Sequence, residues 1–458
     1  MAFSGAEYTT DCSCPHTLQC LRALPEKLWC RLVKVSKIAM KFGEDHPRRL
    51  IHSFKVGVAL VLISILHHFR PSFYAFGDNI MWAVLTVVVV LEFSVGATLG
   101  KGLNRMLATF LAGALGVGAH CLANLSGDKG EAVLTPIFIF LIAGTVTLMR
   151  FSPRFKVRYD YGMIIFILTF CLVSLSDEKE SEMLEIAHER LLTIIIGSCI
   201  AVMVCICICP VWAGQDLHNE ISSNIEKLAL FFEGFSDEYF NNSDTTQTVQ
   251  DKSFLHRYKS VLSSKSSEET MAVLARWEPC HGKFKFHHPW KQYLKIGNQT
   301  RVCAYKIEAL SSYLLHSKQI PHEIQSMIQE SCTIISLECG KTLKESSLGV
   351  RHMTKSSMPN QHVANAKNAV ESLKSVLRTN PWEGGDYVDI IEVAAVASLL
   401  IDVVDCTQKI CEEIDELASL ARFVPSQLLH QGTVQPISKR DDSIHVITID
   451  EITPRLYE

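Results

Sequence analysis

Hydrophobic and polar positions divide this chain into two unlike halves. From about residue 50 to 213, apolar residues run in long blocks; beyond 213 they recur at spacings of three and four among many charges. A helix needs about 20 predominantly apolar residues to cross a bilayer core. Six stretches meet or approach that length, at 50–69, 79–100, 106–127, 132–149, 161–176 and 191–213. Lys55 interrupts the first and Glu92 the second, and the other four carry no lysine, arginine or acid. In hydrocarbon each backbone polar group must be satisfied within its own segment, so these stretches read as helices. Residues 101–105 leave room only for a tight turn between the second and third.

The second half predicts further helices at about 216–240, 253–277, 298–318, 322–346, 362–378 and 386–421, separated by proline and glycine. Ile390, Val393, Ala397, Leu400 and Val404 show the helical spacing. The expected fold is therefore an all-α membrane protein: a segment at 1–49, six spans over 50–213, a helical domain over 214–421 and an irregular tail at 422–458. No apolar core of secretory type precedes the first span, which must act as its own insertion signal.

Charge fixes the expected orientation. Arg22, Lys27, Arg31, Lys34, Lys37, Lys41, Arg48 and Arg49 precede the first span, whereas Arg70 alone follows it. Basic loops then alternate with poor ones, which places both termini in the cytoplasm. Over the whole chain 44 basic and 48 acidic residues give a net charge of −4, without the basic footprint of a nucleic-acid binder. Sixteen cysteines in 458 residues do not make a disulfide scaffold. Four of them, Cys12, Cys14, Cys20 and Cys30, fall in the cytosolic segment on this topology.

Few motifs of enzymes or metal sites survive inspection. The run Gly96-Ala97-Thr98-Leu99-Gly100-Lys101 is one residue short of a phosphate loop and follows no strand. Cys207 points to a different face from Cys205 at helical pitch, so the run of Cys205, Cys207 and Cys209 is no metal site. His67-His68 and His287-His288 lack the spacing of a zinc site. No cofactor is expected, and no constellation for catalysis stands out. Gly96, Gly100 and the small residues at 112–119 suit close helix packing.

Charges at the membrane are the more informative signal, because a charge in a span is costly and marks function by default. Lys55, Lys101 and Lys156 fall near inner ends of spans and Arg190 opens the sixth span from outside. Together they suit an anion path, although the three lysines also obey the orientation rule and could reach headgroups. Glu92 is expected to pair with a base or stay neutral. Asp177, Glu178, Glu180, Glu182, Glu185 and Glu189 crowd the outer side, where carboxylates suit a hard cation.

Several long runs resemble the plant aluminium-activated malate transporters. They are 81–93 continuing through Gly96 to Arg105, Asp45-His46-Pro47-Arg48-Arg49, Tyr159 to Phe170, Pro210 to His218, and Trp277-Glu278-Pro279. The resemblance spans about 45–320 well and implies an anion channel passing malate and inorganic anions down their gradient. It further implies a homodimer with the pore between subunits, pore bases at Lys55, Lys101, Lys156 and Arg190, and structural roles for Glu92, Trp277, Glu278 and Pro279. External aluminium, voltage or anions are the expected stimuli, the plasma membrane the expected location and the vacuolar membrane its alternative. A coupled organic-anion carrier and a membrane-anchored scaffold are the rival readings.

Overall fold

The computed structural model describes Asp45 and residues 47–68, 80–175, 180–240, 255–314, 322–379 and 387–425. The four N-terminal cysteines, Asp177, Glu178 and the chain beyond 425 lie outside these. The protein is an all-α membrane protein. In its first half the helices are α1 (Pro47–His68), α2 (Ile80–Val90), α3 (Val95–Asn124), α4 (Gly127–Phe151), α5 (Pro153–Ser174) and α6 (Glu180–Cys207). Five of these are long and apolar enough to cross a membrane, and α2 is a shorter apolar helix.

The expected break between spans two and three lies elsewhere than 101–105. The helix that begins at Ile80 ends at Val90, and Val95 opens a 30-residue helix. The physical reason is local. The Ser94 side chain caps α3 by accepting from the Ala97 amide at 3.2 Å, and Thr98 Oγ1 accepts from the Glu92 amide at 3.0 Å. The Thr98 hydroxyl in turn donates to the Ser94 carbonyl at 3.1 Å. Side-chain hydrogen bonds of this kind compete with helix continuation and favour a cap. Eleven residues of α2 span roughly 16 Å, about half a bilayer core. The sixth helix also starts earlier than expected, at Glu180 rather than 191.

Within the membrane half, α3 packs against α5 and α6, and α2 packs against α6. One small core joins Ala59, Ile63, Ala83, Val87 and Ala201; another joins Ala112, Ala119 and Phe170. No residue in the apolar window of α4 is fully buried; Phe138, Ile139 and Ile142 pack on the second core, and the rest of the helix leaves a surface for lipid or a second copy.

The second half consists of α7 (Ala213–Phe240), the short α8 (Lys259–Leu262), α9 (Lys265–Ala275), α10 (Trp290–Leu314), α11 (His322–His352), α12 (Met358–Thr379) and α13 (Tyr387–Ala421). Two-residue strands β1 (Thr354–Lys355) and β2 (Val424–Pro425) pair in parallel. Leu217, Ile221, Ile225, Leu228, Phe231 and Phe235 form the buried stripe of α7, facing α11 and α10. Glu268 and Arg301 make a buried ion pair, and Ser264 Oγ donates to Glu268 at 2.7 Å. Such a pair is tolerable away from water only with these extra hydrogen bonds.

The two halves meet at one end of the membrane helices. Arg48, at the start of α1, forms a two-pronged pair with Asp216 of α7 at 2.9 and 3.0 Å. This is the domain end of the membrane helices.

Candidate anion site and the junction with the helical domain

Lys55 is 1% exposed although it carries an ammonium group. Its Nζ donates to the Cys205 carbonyl of α6 at 3.4 Å. The Cys205 thiol lies 3.5 Å from Thr98 Oγ1 and 3.8 Å from the Glu92 carbonyl. Cys205 therefore links the buried lysine to the bend at 91–94, and its carbonyl gives the ammonium a partner away from lipid. Lys101 lies on the other side of the same bend and pairs with the Glu92 carboxylate. Its ammonium also sits 5.8 Å from the centre of the Tyr161 ring on α5.

One turn further along α3 lies Arg105, within the stretch 101–105 expected to form a tight turn. It is 4% exposed, and its guanidinium donates to Tyr161 Oη at 2.9 Å. Arg105 Nε and Thr109 Oγ1 are buried without a hydrogen-bond partner among the described residues. Arg190 of α6 lies over the Trp82 ring, 4.7 Å from its centre. Arg105, Thr109, Arg190 and Trp82 line one enclosed cavity of about 20 Å³ between α2, α3, α5 and α6. That volume suits a water molecule and is too small for a dicarboxylate. Two guanidinium groups inside apolar spans, beside unfilled donors, can substitute for water around an anion.

The structure thus brings Lys55 and Lys101 to one bend near the domain end, and Arg190 to Arg105 deeper in the bundle. It does not bring Lys156 to either group: that side chain is exposed on the first turns of α5. Of the outer acids, Glu180, Glu182 and Glu185 fall on α6 with side chains outside the described set, and Glu189 is half-buried. No group of three metal-ligating side chains occurs among the described residues. The signal that could have found Arg105 is its four-residue spacing from Lys101 on a helix, which stacks the two on one face.

The segment Trp277-Glu278-Pro279 forms the mechanical joint. Glu278 Oε1 accepts from the Ala213 amide at 2.6 Å and Oε2 from the Gly214 amide at 3.0 Å, so one carboxylate caps α7. Burial raises its pKa, and the backbone amides of Gly214, Ala213 and Gly96 oppose that rise. Trp277 packs on Gly100: a side chain there would meet its indole at 3.0 Å. A Cβ on Gly96 would overlap the Leu274 carbonyl oxygen. The two glycines of α3 therefore serve contact with the helical domain, not contact between spans. Arg158 of α5 covers the Trp277 ring at 4.7 Å.

Beside this joint lies a histidine–aromatic cluster. His218 Nδ1 lies 2.9 Å and His288 Nε2 3.2 Å from Tyr293 Oη, and Trp212 stacks on His281 at 3.8 Å. Burial, with like charge from His218 and His281, lowers the His288 pKa to about 4.

Comparison with known proteins agrees with these motifs. Residues 40–383 match the family model described as aluminium activated malate transporter. Aluminum-activated malate transporter 2 of Arabidopsis thaliana is 47% identical over 418 residues, covering 89% of this chain and 83% of the relative. Aluminum-activated malate transporter 1 of Triticum aestivum is 41% identical over 421 residues, covering 89% of this chain and 91% of the relative. The Arabidopsis protein named aluminum-activated malate transporter 12 is 36% identical over 355 residues, 77% of this chain and 62% of the relative. Family members are transporters rather than enzymes. A multi-pass helical membrane half, the long shared runs and these identities lead to one conclusion: the chain belongs to the aluminium-activated malate transporter family.

Proposed function

We propose that the protein is a passive channel for malate and inorganic anions. The observation that carries this reading is the pairing of Arg105 and Arg190 around one cavity within apolar spans. Two guanidinium groups at that depth, one of them the buried Arg105, lower the cost of dehydrating an anion there. Lys55 and Lys101 then form a second basic level nearer the domain end, and Lys156 attracts anions at the mouth. The single-chain cavity is too small for malate, so the pore lies between two copies of the chain, each contributing six spans counting α2. Both termini and the helical domain face the cytoplasm, in keeping with the basic residues at the domain end. The plasma membrane is the assigned location. External aluminium, voltage or anions gate the path, with the acids at 177–189 as the site open to a cation. Glu92 steadies Lys101, and the Trp277-Glu278-Pro279 segment couples pore helix α3 to the helical domain.

The test is two-electrode voltage clamp in oocytes loaded with malate, comparing wild type with Arg190→Ala, with and without external aluminium. Malate-dependent inward current that falls in the variant at equal surface protein supports the reading. No current under any condition, with wild-type protein confirmed at the surface, overturns it.

A further inference from the structure

A cavity of about 670 Å³ opens beside the joint, away from the proposed pore. Arg158 lines it from α5, Arg276 follows α9, Lys285 comes from the segment leading into α10 and Lys291 from the first turn of α10. No ion pair among the described residues engages these four cations. Lys295, also in the wall, is already balanced by Glu413 at 3.9 Å and Glu416 at 3.3 Å. Glu278 is the one acid in the lining, and both its oxygens are taken by the backbone of α7. The cavity is therefore a concave surface with a net excess of unneutralised donors.

Its position adds a second observation. The cavity touches the first turns of α5 and the segment that seats against Gly96 and Gly100, so it lies where the membrane helices emerge. At its rim Phe286 is 69% exposed between Lys285 and His287, and His287 holds a left-handed backbone with φ 62°. An exposed aromatic flanked by bases at a membrane surface is the composition of an interfacial contact.

We propose that this cavity binds a phosphoryl group. A phosphoryl dianion offers several oxygen acceptors in a small volume, matching a wall of several cations better than a single carboxylate does. The group reaches the cavity as a lipid headgroup or as free phosphate, and the experiment separates the two. The inference does not depend on conduction, so its failure leaves the transport reading untouched.

The full chain is placed in phosphatidylcholine nanodiscs, and its thermal unfolding midpoint is followed while inorganic phosphate is titrated. A parallel series replaces added phosphate with increasing phosphatidylinositol monophosphate in the disc. Binding to the folded state raises the midpoint saturably. Wild type is compared with the paired variant Lys285→Gln, Lys291→Gln and, separately, with Arg276→Gln; all three positions are exposed. The expected result is a saturable rise with at least one probe, its half-maximum moved about tenfold or more to higher concentration in the variants. A rise with free phosphate identifies a soluble ligand, and a rise with the lipid alone identifies a headgroup. No saturable rise with either probe, or the same titration in variants and wild type, overturns the proposal.

Discussion

Single side chains carry the charges on which the account depends. Arg105 is the addition to the basic residues first singled out, and its buried guanidinium is held by Tyr161. Arg105→Gln removes one charge-assisted partner for a passing anion, so malate current should fall by about tenfold at equal surface protein. Unchanged current would remove Arg105 from the path. Lys156→Gln should cost much less, because that side chain is exposed and screened by solvent and salt. At the joint, Glu278→Ala leaves two buried amides of α7 unpaired, at a cost of about 1–3 kcal/mol. The midpoint should drop by several degrees, with Glu278→Gln recovering part of the loss. His288 gives a pH prediction. Its pKa is lowered from 6.5 to about 4 in the folded chain, so the unfolded chain binds the extra proton first. Stability should therefore decline as pH falls from about 6.5 towards about 4, and His288→Phe should flatten that decline. An equal slope in both proteins would show that His288 is not its source.

At the scale of elements, the sequence announced the helices better than their ends. Long apolar blocks and three-four spacing made most of the helical organisation legible before any coordinates. The bend at 91–94 was not legible: it lies inside an apolar run and depends on Ser94 and Thr98 turning their oxygens onto nearby amides. Nor does a sequence tell whether Gly96 and Gly100 face another span or a different domain. They face Leu274 and Trp277, almost 180 residues away in the chain. The Lys101–Glu92 pair was legible as a need, because one acid in a span calls for a base, but the partner was set by the bend. Gly100→Val tests the element-level coupling. Its side chain would press on Trp277, shifting α3 against the helical domain. The expected outcome is surface-expressed protein with altered gating, whereas wild-type currents would show that this contact transmits nothing.

At the scale of the whole molecule, a basic joint links a bundle whose α4 has no fully buried residue in its apolar window to a helical domain with its own extensive core. One enclosed cavity of water size between α2, α3, α5 and α6 cannot pass a dicarboxylate, which is why the account places the path between two copies. The central claim is passive conduction through that path, as opposed to coupled carriage. The most direct measurement is single-channel recording of the purified full chain in planar bilayers under a malate gradient. The account predicts resolvable unitary currents that reverse at the malate equilibrium potential and shrink in Arg105→Gln and Arg190→Ala. Saturable malate flux with no unitary events, tied to movement of a second ion, would contradict it.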